Sequence, residues 1–354
     1  MQCTNHLKQF ALSVHNFHDT ILELPKANFT RVAKPYAFAG VTTGSNWTRW
    51  NTGFGTGTDA GQPNCKAYGW LVELLPFMEQ QSRYQNFLRA MEMNSALNKQ
   101  TATIASGVDN PFIGYVGPWV CPSDPNGQPI TGTFSRGSYH ACLGDVGFND
   151  LNTESNYGSG NNFMDTRGAF VFGFSLTRDF ASVTDGLSNT IFFAEAVISE
   201  YSGTTDIFAR GGVVPSVVQA PGQTRSKCMA TKVGNTLTSA IDVSGTTAAG
   251  IGRRAFAAGD PVFSLFATLS PPNYPTCARG TTAGSSTVTA SSTHSGGINA
   301  ALGDGSVRFI SETINANNTP AVDTIPTYGS SSGQSPWGVW GAYGTVGGSE
   351  SQAL

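Results

Sequence analysis

The chain has 354 residues, of which only 12% are charged, and its formal net charge is −3. A chain of this length can bury one large β-rich core with loop insertions, whereas its near-neutral charge leaves no basic field for phosphate groups and excludes nucleic acid as an expected partner. The 42 glycines, together with many Ser, Thr and Asn residues, favour β structure with many turns over a helical bundle.

The first predicted element is an amphipathic α-helix between Gln2 and Ile21. Its apolar residues are spaced by three and four positions, which places them on one helical face. They are Cys3, Leu7, Phe10, Val14, Phe17 and Ile21. No capping residue precedes this stripe, so we expect the helix to be the second half of a longer one that begins upstream.

A second helix is predicted from Tyr68 to Met91, with a kink or a break at Pro76. Beyond about Thr101 the helical period fades, and short apolar runs between turn residues predict strands. These runs are Gly117–Cys121, Gly137–Leu143, Gly168–Leu176, Thr190–Ile198, Ile207–Val218 and Gly297–Ser311.

Two segments rich in small and polar residues, Gly144–Asp165 and Pro221–Thr293, are predicted to be loops or insertions. The last part of the chain is rich in Gly and Ser, although Trp337 and Trp340 indicate that it docks on the rest. The predicted organisation is therefore a helix over residues 1–24, a β-rich globular domain over 25–314 and a tail over 315–354.

The six cysteines are scattered, and none forms a Cys-x-x-Cys pair of the kind that binds zinc or cycles between redox states. They are Cys3, Cys65, Cys121, Cys142, Cys228 and Cys277. An even and scattered set is typical of an oxidising compartment, and we expect at least two disulfides, with the connectivity left open. Buried free thiols in a cytosolic protein are the alternative.

Four stretches, taken in order, resemble one large uncharacterised group of prepilin-like proteins. That group carries a prepilin-type cleavage and methylation segment and a carboxy-terminal His-x9-Asp-Gly motif. The stretches are Gln2–Gln9 continuing to His15–Asp19, Trp70–Gln80, Cys121–Asp124 with Thr184–Thr190 and Glu195, and His294 followed, after nine intervening residues, by Asp304–Phe309.

The resemblance implies an α+β, pilin-like fold in which an amino-terminal helix packs on an antiparallel β-sheet with long loop insertions. It implies a structural or assembly subunit of a type IV pilus-like or type II secretion-like surface filament, whose partners are other pilin-like subunits. A membrane-inserting half-helix is then expected before Met1. The protein would be extracytoplasmic, in the periplasm or at the cell surface, and anchored in its full-length precursor.

His294 and Asp304 are tempting as a metal or acid–base pair. The residues between them are predicted to form a strand, and Asp304-Gly305 the turn into the next one, which would separate the two side chains by roughly 30 Å. We therefore predict structural roles, with Asp304 stabilising the turn and His294 the start of the strand.

The stretch Asp185–Thr190 is predicted to be a turn that feeds a buried strand, with a ligand loop as the alternative. Its motif residues are Asp185, Gly186, Ser188 and Asn189. At the end of the following apolar run, Glu195 must be paired or exposed, and we predict a salt bridge to an arginine.

Oxygen-bearing side chains alternate at Asp150, Asn152 and Glu154, as they do in calcium loops. Ser155 stands where such a loop requires glycine, and no glutamate closes the loop. A solvated loop is the prediction, calcium is the alternative, and no cofactor is required.

No nucleophile elbow, zinc-protease helix, phosphate loop or dinucleotide fingerprint occurs, so we do not expect an enzyme. The alternative to a filament subunit is an extracellular solute- or carbohydrate-binding module. The tryptophans that could line its surface are Trp47, Trp50, Trp119, Trp337 and Trp340.

Overall fold

The fold is known from a computed structural model. It describes residues 1–29, 68–92, 114–127, 135–147, 166–171, 177–198, 213–214, 225–234, 236–237, 264–278, 286–317 and 333–348. The helices and strands among these residues assemble an α+β fold around a five-stranded sheet.

Helix α1 spans Gln2–Ile21 and confirms the predicted amphipathic helix. The predicted stripe from Cys3 to Phe17 is buried, and Ile21 is half-buried. The helix ends at Leu22, whose left-handed backbone (φ 62°) lets its N–H donate to the carbonyl of His18. Helix α1 packs on the central strands of the sheet, because its apolar face has no other way to leave water.

The second predicted helix is divided at Pro76, as the sequence indicates. Helix α2 spans Trp70–Leu74, a 3₁₀ turn spans Leu75–Met78, and helix α3 spans Gln81–Glu92. Proline cannot donate to the helical ladder, so the chain tightens at this point and restarts.

The strands of the central sheet are β3 (Tyr139–Cys142), β4 (Ile191–Glu195), β8 (Leu265–Phe266), β11 (Gly297–Leu302) and β12 (Val307–Ser311). They lie side by side in the order β12-β11-β4-β3-β8. Strands β11 and β12 form the predicted hairpin, with Ile298 opposite Ile310.

The sheet is mixed, which corrects the prediction of an antiparallel one. Strand β8 pairs in parallel with β3, placing Ala141 opposite Leu265. The segment that contains β8 was predicted to be a loop insertion because its composition is dominated by small and polar residues. These residues form a strand despite that composition, because they pair with β3 and are buried.

Part of the predicted insertion Pro221–Thr293 therefore folds onto the domain. It contributes helix α4 (Arg225–Met229), strands β6 (Lys232–Val233) and β7 (Thr236–Leu237), and strands β9 (Thr276–Ala278) and β10 (Ser286–Thr287). Strand β5 (Val213–Val214) joins β9 and β10 in a second sheet. Strands β1 (Asn28–Phe29) and β2 (Tyr68–Gly69) form a short antiparallel pair.

Two other predicted strands are wrong where the structure describes them. Gly117–Trp119 forms a 3₁₀ turn, because Pro118 lacks the N–H that a ladder needs. Residues 168–170 are bends and residue 171 has no regular structure, and the remaining part of Gly168–Leu176 lies outside the described residues. Of the predicted strand Ile207–Val218, only β5 is described.

The carboxy-terminal segment packs into the core through helix α5 (Gly338–Ala342). Trp337 and Trp340 are fully buried, and their indole N–H groups donate to the carbonyls of Asp145 and Ser270. The predicted loop Gly144–Asp165 is described only up to residue 147.

The main core lies between α1 and the sheet and is built on Phe10. Its ring packs against Trp70, Tyr139 and Phe193 at centroid distances of 5.5, 5.3 and 5.7 Å. This packing brings the first turn of α1 to the edge of β3 and β4 where the candidate site lies.

Candidate functional site

A disulfide joins the beginning of α1 to the turn that follows Trp119. It links Cys3 to Cys121 across 118 residues. A second disulfide links Cys228 to Cys277 across 49 residues. Cys142 is a buried free thiol whose pKa burial raises to about 12, so it is inert at neutral pH. Cys65 lies outside the described residues.

The carboxylate of Glu195 is buried beside the first disulfide, at the end of β4. Its side chain is 2% exposed, and its Oε1 lies 3.1 Å from Nε2 of His294. The backbone N–H of Asn299 donates to Oε2 at 2.8 Å, and the side-chain amide donates to Oε1 at 3.0 Å. Hydrogen bonds of this kind are what a buried carboxylate requires.

The predicted partner of Glu195, an arginine, is therefore wrong. Strand β11 lies beside β4 in the sheet, and it carries Asn299 and the loop of His294 against the end of that strand. The sequence shows that Glu195 needs a partner, but it does not show which strand lies next to β4.

Sulfur, carboxylate and imidazole meet at one point. Sγ of Cys121 lies 3.9 Å from Oε1 of Glu195 and 3.9 Å from Nε2 of His294. One ligand-type atom from each of Cys3, Cys121, Glu195 and His294 lies within 4.8 Å of the other three. We call these four residues the Cys–Glu–His cluster. Three of its members are buried, and His294 is partly exposed.

Asp124, a buried acidic residue, holds the loop of Cys121 in place. Its Oδ2 accepts from the Ser138 hydroxyl and from the backbone N–H of Ile198, both at 2.9 Å, and its Oδ1 accepts from the backbone N–H of Asn126. Burial raises the pKa of Asp124, and these hydrogen bonds oppose the increase. The loop is thereby tied to the strands on both sides of the cluster.

Tyr139 borders the cluster, because it lies opposite Glu195 in the β3–β4 ladder. The pKa of Tyr139 is raised above its usual range, mainly by burial and secondly by the negative charge of Glu195. Its hydroxyl lies 3.1 Å from Nδ1 of His6 on α1. Burial lowers the pKa of His6, so the surroundings favour neutral forms of both groups.

The two motif residues His294 and Asp304 lie at opposite ends of β11. His294 belongs to the cluster and Asp304 does not. Oδ1 of Asp304 accepts from the backbone N–H and the hydroxyl of Ser306 at 2.9 and 2.7 Å. Gly305 follows with φ +84°, a conformation that residues with a side chain adopt reluctantly. The Asp-Gly pair forms the turn of the hairpin.

The motif around Asp185 holds the carboxy-terminal segment. Oδ2 of Asp185 accepts from the backbone N–H of Gly348 at 2.6 Å and from the Thr345 hydroxyl at 3.2 Å. The Asn189 side-chain amide donates to the carbonyl of Asp185. Gly186 has a backbone φ of +95°, and the side chain of Ser188 is exposed. These contacts join the motif to the carboxy-terminal segment, and the structure brings none of the four residues to the cluster.

The weaker calcium candidates Asp150, Asn152 and Glu154 lie outside the described residues, as do Trp47 and Trp50. The described tryptophans are buried rather than displayed on a surface; they are Trp70, Trp119, Trp337 and Trp340. Two cavities among the described residues, one beside Trp70 and one beside Glu195, have volumes of about 10 Å³ each, which suits a single water.

Each member of the cluster is visible in the sequence, but their convergence is not. Cys3 and Cys121 appear as disulfide candidates and within family-like stretches, Glu195 as an unexplained acid in an apolar run, and His294 as half of a motif. The acid at the end of a buried strand was the one local signal of a polar site, because such a group must have a partner nearby.

A protein-family model described as "Protein of unknown function (DUF1559)" and labelled SBP_bac_10 matches residues 1–317. None of the curated proteins and none of the solved structures matches the chain significantly. Among the described helices, none is both long and apolar enough to cross a membrane.

Proposed function

We propose that this chain, which belongs to the family described as "Protein of unknown function (DUF1559)", is a structural subunit of a pilus-like or type II secretion-like surface filament. Its resemblance to prepilin-like proteins runs from residue 2 to residue 309. Its partners would be other pilin-like subunits, and in the full-length protein a membrane-inserting half-helix would precede α1. The proposal includes no catalytic activity.

The observation that carries the proposal is the position of α1. A 20-residue helix lies along the sheet, with one apolar face buried against β4 and β11. Its opposite face is exposed and includes Leu12, whose side chain is 61% exposed. In the proposed filament this exposed face of α1 lies towards neighbouring subunits, so Leu12 is the residue that we expect at a subunit contact.

The disulfides agree with a location outside the cytoplasm. Such bonds form and persist in oxidising compartments and are rare in cytosolic proteins. The bridges Cys3–Cys121 and Cys228–Cys277 therefore indicate an extracytoplasmic environment.

The test is assembly of the full-length protein in its own cell. A strain without the gene is complemented with wild type or with Leu12→Glu, and filaments are collected by shearing and stained with an antibody for electron microscopy. We expect wild type in filaments and Leu12→Glu absent from them at equal expression, because a charge at a subunit contact must be desolvated.

Val233 provides the matched control, since it is 60% exposed and lies on β6 rather than on α1. Val233→Glu should assemble as wild type does. If wild type is never found in the sheared material, the proposed function is wrong, whereas equal assembly of both variants would contradict only the placement of Leu12 at a subunit contact.

No specific observation favours the alternative of a solute- or carbohydrate-binding module. Such a site needs exposed aromatic side chains around a cleft. Among the described residues the tryptophans are buried, and the cavities beside Trp70 and Glu195 are each water-sized.

A further inference from the structure

The Cys–Glu–His cluster combines the side chains that bind zinc best. We propose that Cys3, Cys121, Glu195 and His294 form a redox-controlled site for zinc or a similar divalent transition metal. The disulfide is the closed form of the site, and its reduction frees two thiolates that bind the metal together with Nε2 of His294 and the carboxylate of Glu195. This inference is independent of filament assembly.

The geometry of the cluster is close to what zinc requires. Zn–S bonds of about 2.3 Å and Zn–N or Zn–O bonds of about 2.0–2.1 Å place the ligand atoms of a tetrahedral site about 3.3–3.8 Å apart. In the cluster, Sγ of Cys121 is 3.9 Å from each of the other two donors, and those donors are 3.1 Å apart. The sulfur of Cys3 lies within 4.8 Å of all of them. Completing the site requires the two sulfurs to separate on reduction and the four donor atoms to move towards a common centre.

The backbone already holds the ligands from four separate parts of the fold. Cys3 lies in the first turn of α1, Cys121 follows a 3₁₀ turn, Glu195 ends β4, and His294 precedes β11. Because these elements are packed into one core, ordering the site on metal binding costs little conformational entropy.

Asn299 supplies the outer contacts that a metal site needs. Its two N–H groups donate to the two oxygens of Glu195 and fix the orientation of the carboxylate. Outer partners of this kind orient metal ligands, and their loss weakens metal binding. Oε1 contacts both the Asn299 amide and Nε2 of His294, and when that nitrogen binds the metal instead, the second lone pair of Oε1 becomes available to the ion.

Burial of Glu195 also favours a cation at this point. The Glu195 side chain is 2% exposed. It contacts His294, which forms an ion pair with it only when the imidazole is protonated and whose side chain is 28% exposed. In the metal-bound form the two thiolates balance the charge of the divalent cation, so the Glu195 carboxylate contacts a cation and the site carries one net negative charge. The partial exposure of His294 provides the path by which an ion reaches the site.

The redox step balances with a dithiol as the reductant. The dithiol gives two electrons and two protons to the Cys3–Cys121 bond, which becomes two thiols, and the dithiol itself becomes a disulfide. Zinc binding then displaces the two thiol protons, so each metal bound releases two protons to solvent.

The second disulfide is the matched control within the same chain. Near Cys228 the sulfur contacts are the Thr287 hydroxyl at 3.3 Å and the Pro275 carbonyl at 3.5 Å. Neither contact is a side chain that binds zinc well, and the Cys228–Cys277 pair is not part of the metal-type group found among the described residues.

The experiment uses cobalt(II) as a spectroscopic probe for the zinc site. The purified full chain is reduced with a phosphine, which supplies no thiol, and is titrated anaerobically with cobalt. We expect one cobalt per chain, with thiolate-to-cobalt charge-transfer absorption and tetrahedral visible bands, and loss of these bands when zinc is added. The oxidised chain should show none of them.

Variants separate this site from the other cysteines. In reduced Cys228→Ser/Cys277→Ser the bands should be unchanged, whereas Cys3→Ser/Cys121→Ser and His294→Ala should abolish them. Asn299→Ala should retain the bands but weaken cobalt affinity by roughly 10–100-fold. Circular dichroism establishes that each variant is folded.

Three outcomes would overturn the proposal. The first is that the reduced wild type binds no cobalt, including the case in which it unfolds on reduction and cobalt does not refold it. The second is that the bands persist in Cys3→Ser/Cys121→Ser, which would assign them to other cysteines. The third is that the Cys228→Ser/Cys277→Ser control, while folded, loses the bands as well.

Discussion

Two buried glutamates in this protein are held in different ways. Glu195 has hydrogen-bond partners on both carboxylate oxygens. Glu73 on α2 accepts from the backbone N–H of Lys26 at 2.8 Å through Oε2, while its Oε1 is buried without a hydrogen-bond partner among the residues that the structure describes. Burial raises the pKa of Glu73 to about 7, so this carboxyl group titrates near neutral pH.

The stability of the protein should therefore depend on the protonation of Glu73. Between the reference pKa of 4.5 and the folded value of about 7, the folded state keeps a proton that the unfolded state loses. The free energy of unfolding should fall as pH rises through this window, by about 3 kcal/mol for this group at most. The measurement is urea denaturation at a series of pH values across the window.

Glu73→Gln should remove this part of the pH dependence and stabilise the protein above pH 7 relative to wild type. Glu79→Gln changes an exposed carboxylate nearby and should leave the wild-type slope in place. A Glu73→Gln variant with the same pH slope as wild type would contradict the argument.

At the scale of the element, α1 depends on the burial of one face. Phe10 is 1% exposed and contacts three aromatic rings of the core. Leu12, two residues later, faces away from the sheet and is 61% exposed. The same helix thus contains a matched pair of core and surface positions.

Phe10→Asp should destabilise the protein by roughly 3–5 kcal/mol or more, because it removes a buried ring and places a charge in an apolar core. Leu12→Asp should change the free energy of unfolding by about 0.5 kcal/mol. Thermal and urea denaturation measure both variants. Equal stability of the two would contradict the packing of α1 on the sheet.

Proline and the Asp-Gly pair set the boundaries of other elements by local chemistry. Pro76 ends the ladder of α2 and begins a 3₁₀ turn. Asp304 accepts from Ser306, and Gly305 adopts positive φ, which closes the β11–β12 hairpin. Because both effects act within a few residues, the sequence predicted these boundaries correctly.

At the scale of the whole molecule, the two disulfides restrict different lengths of chain. Cys3–Cys121 closes a loop of 118 residues and Cys228–Cys277 one of 49. In the chain-entropy account, the longer loop stabilises the fold more, but only logarithmically.

Replacing Cys228 and Cys277 by serine should lower the free energy of unfolding by about 4 kcal/mol, and replacing Cys3 and Cys121 by about 5 kcal/mol, as chain-entropy estimates. Urea denaturation under non-reducing conditions measures both effects.

Peptide mapping without reduction should recover both bridges in wild type, with Cys142 alkylated only after unfolding. Recovery of six free thiols would contradict both the bridges and the extracytoplasmic location.

The sequence by itself determined the elements that depend on short-range patterns. The spacing of apolar residues from Cys3 to Phe17 predicted α1 and its buried face, and alternation around Ile298 predicted the hairpin. It also established that Glu195 needs a partner, since an acid within an apolar strand must be satisfied.

Which distant residues meet follows from the folded arrangement of the helices and strands. It paired Cys3 with Cys121, 118 residues away, and Glu195 with His294, 99 residues away, and it added β8 to the sheet in parallel. These contacts depend on the order of strands and on how α1 lies across them. Local periodicity carries no information about either, because many chain paths bury the same apolar faces.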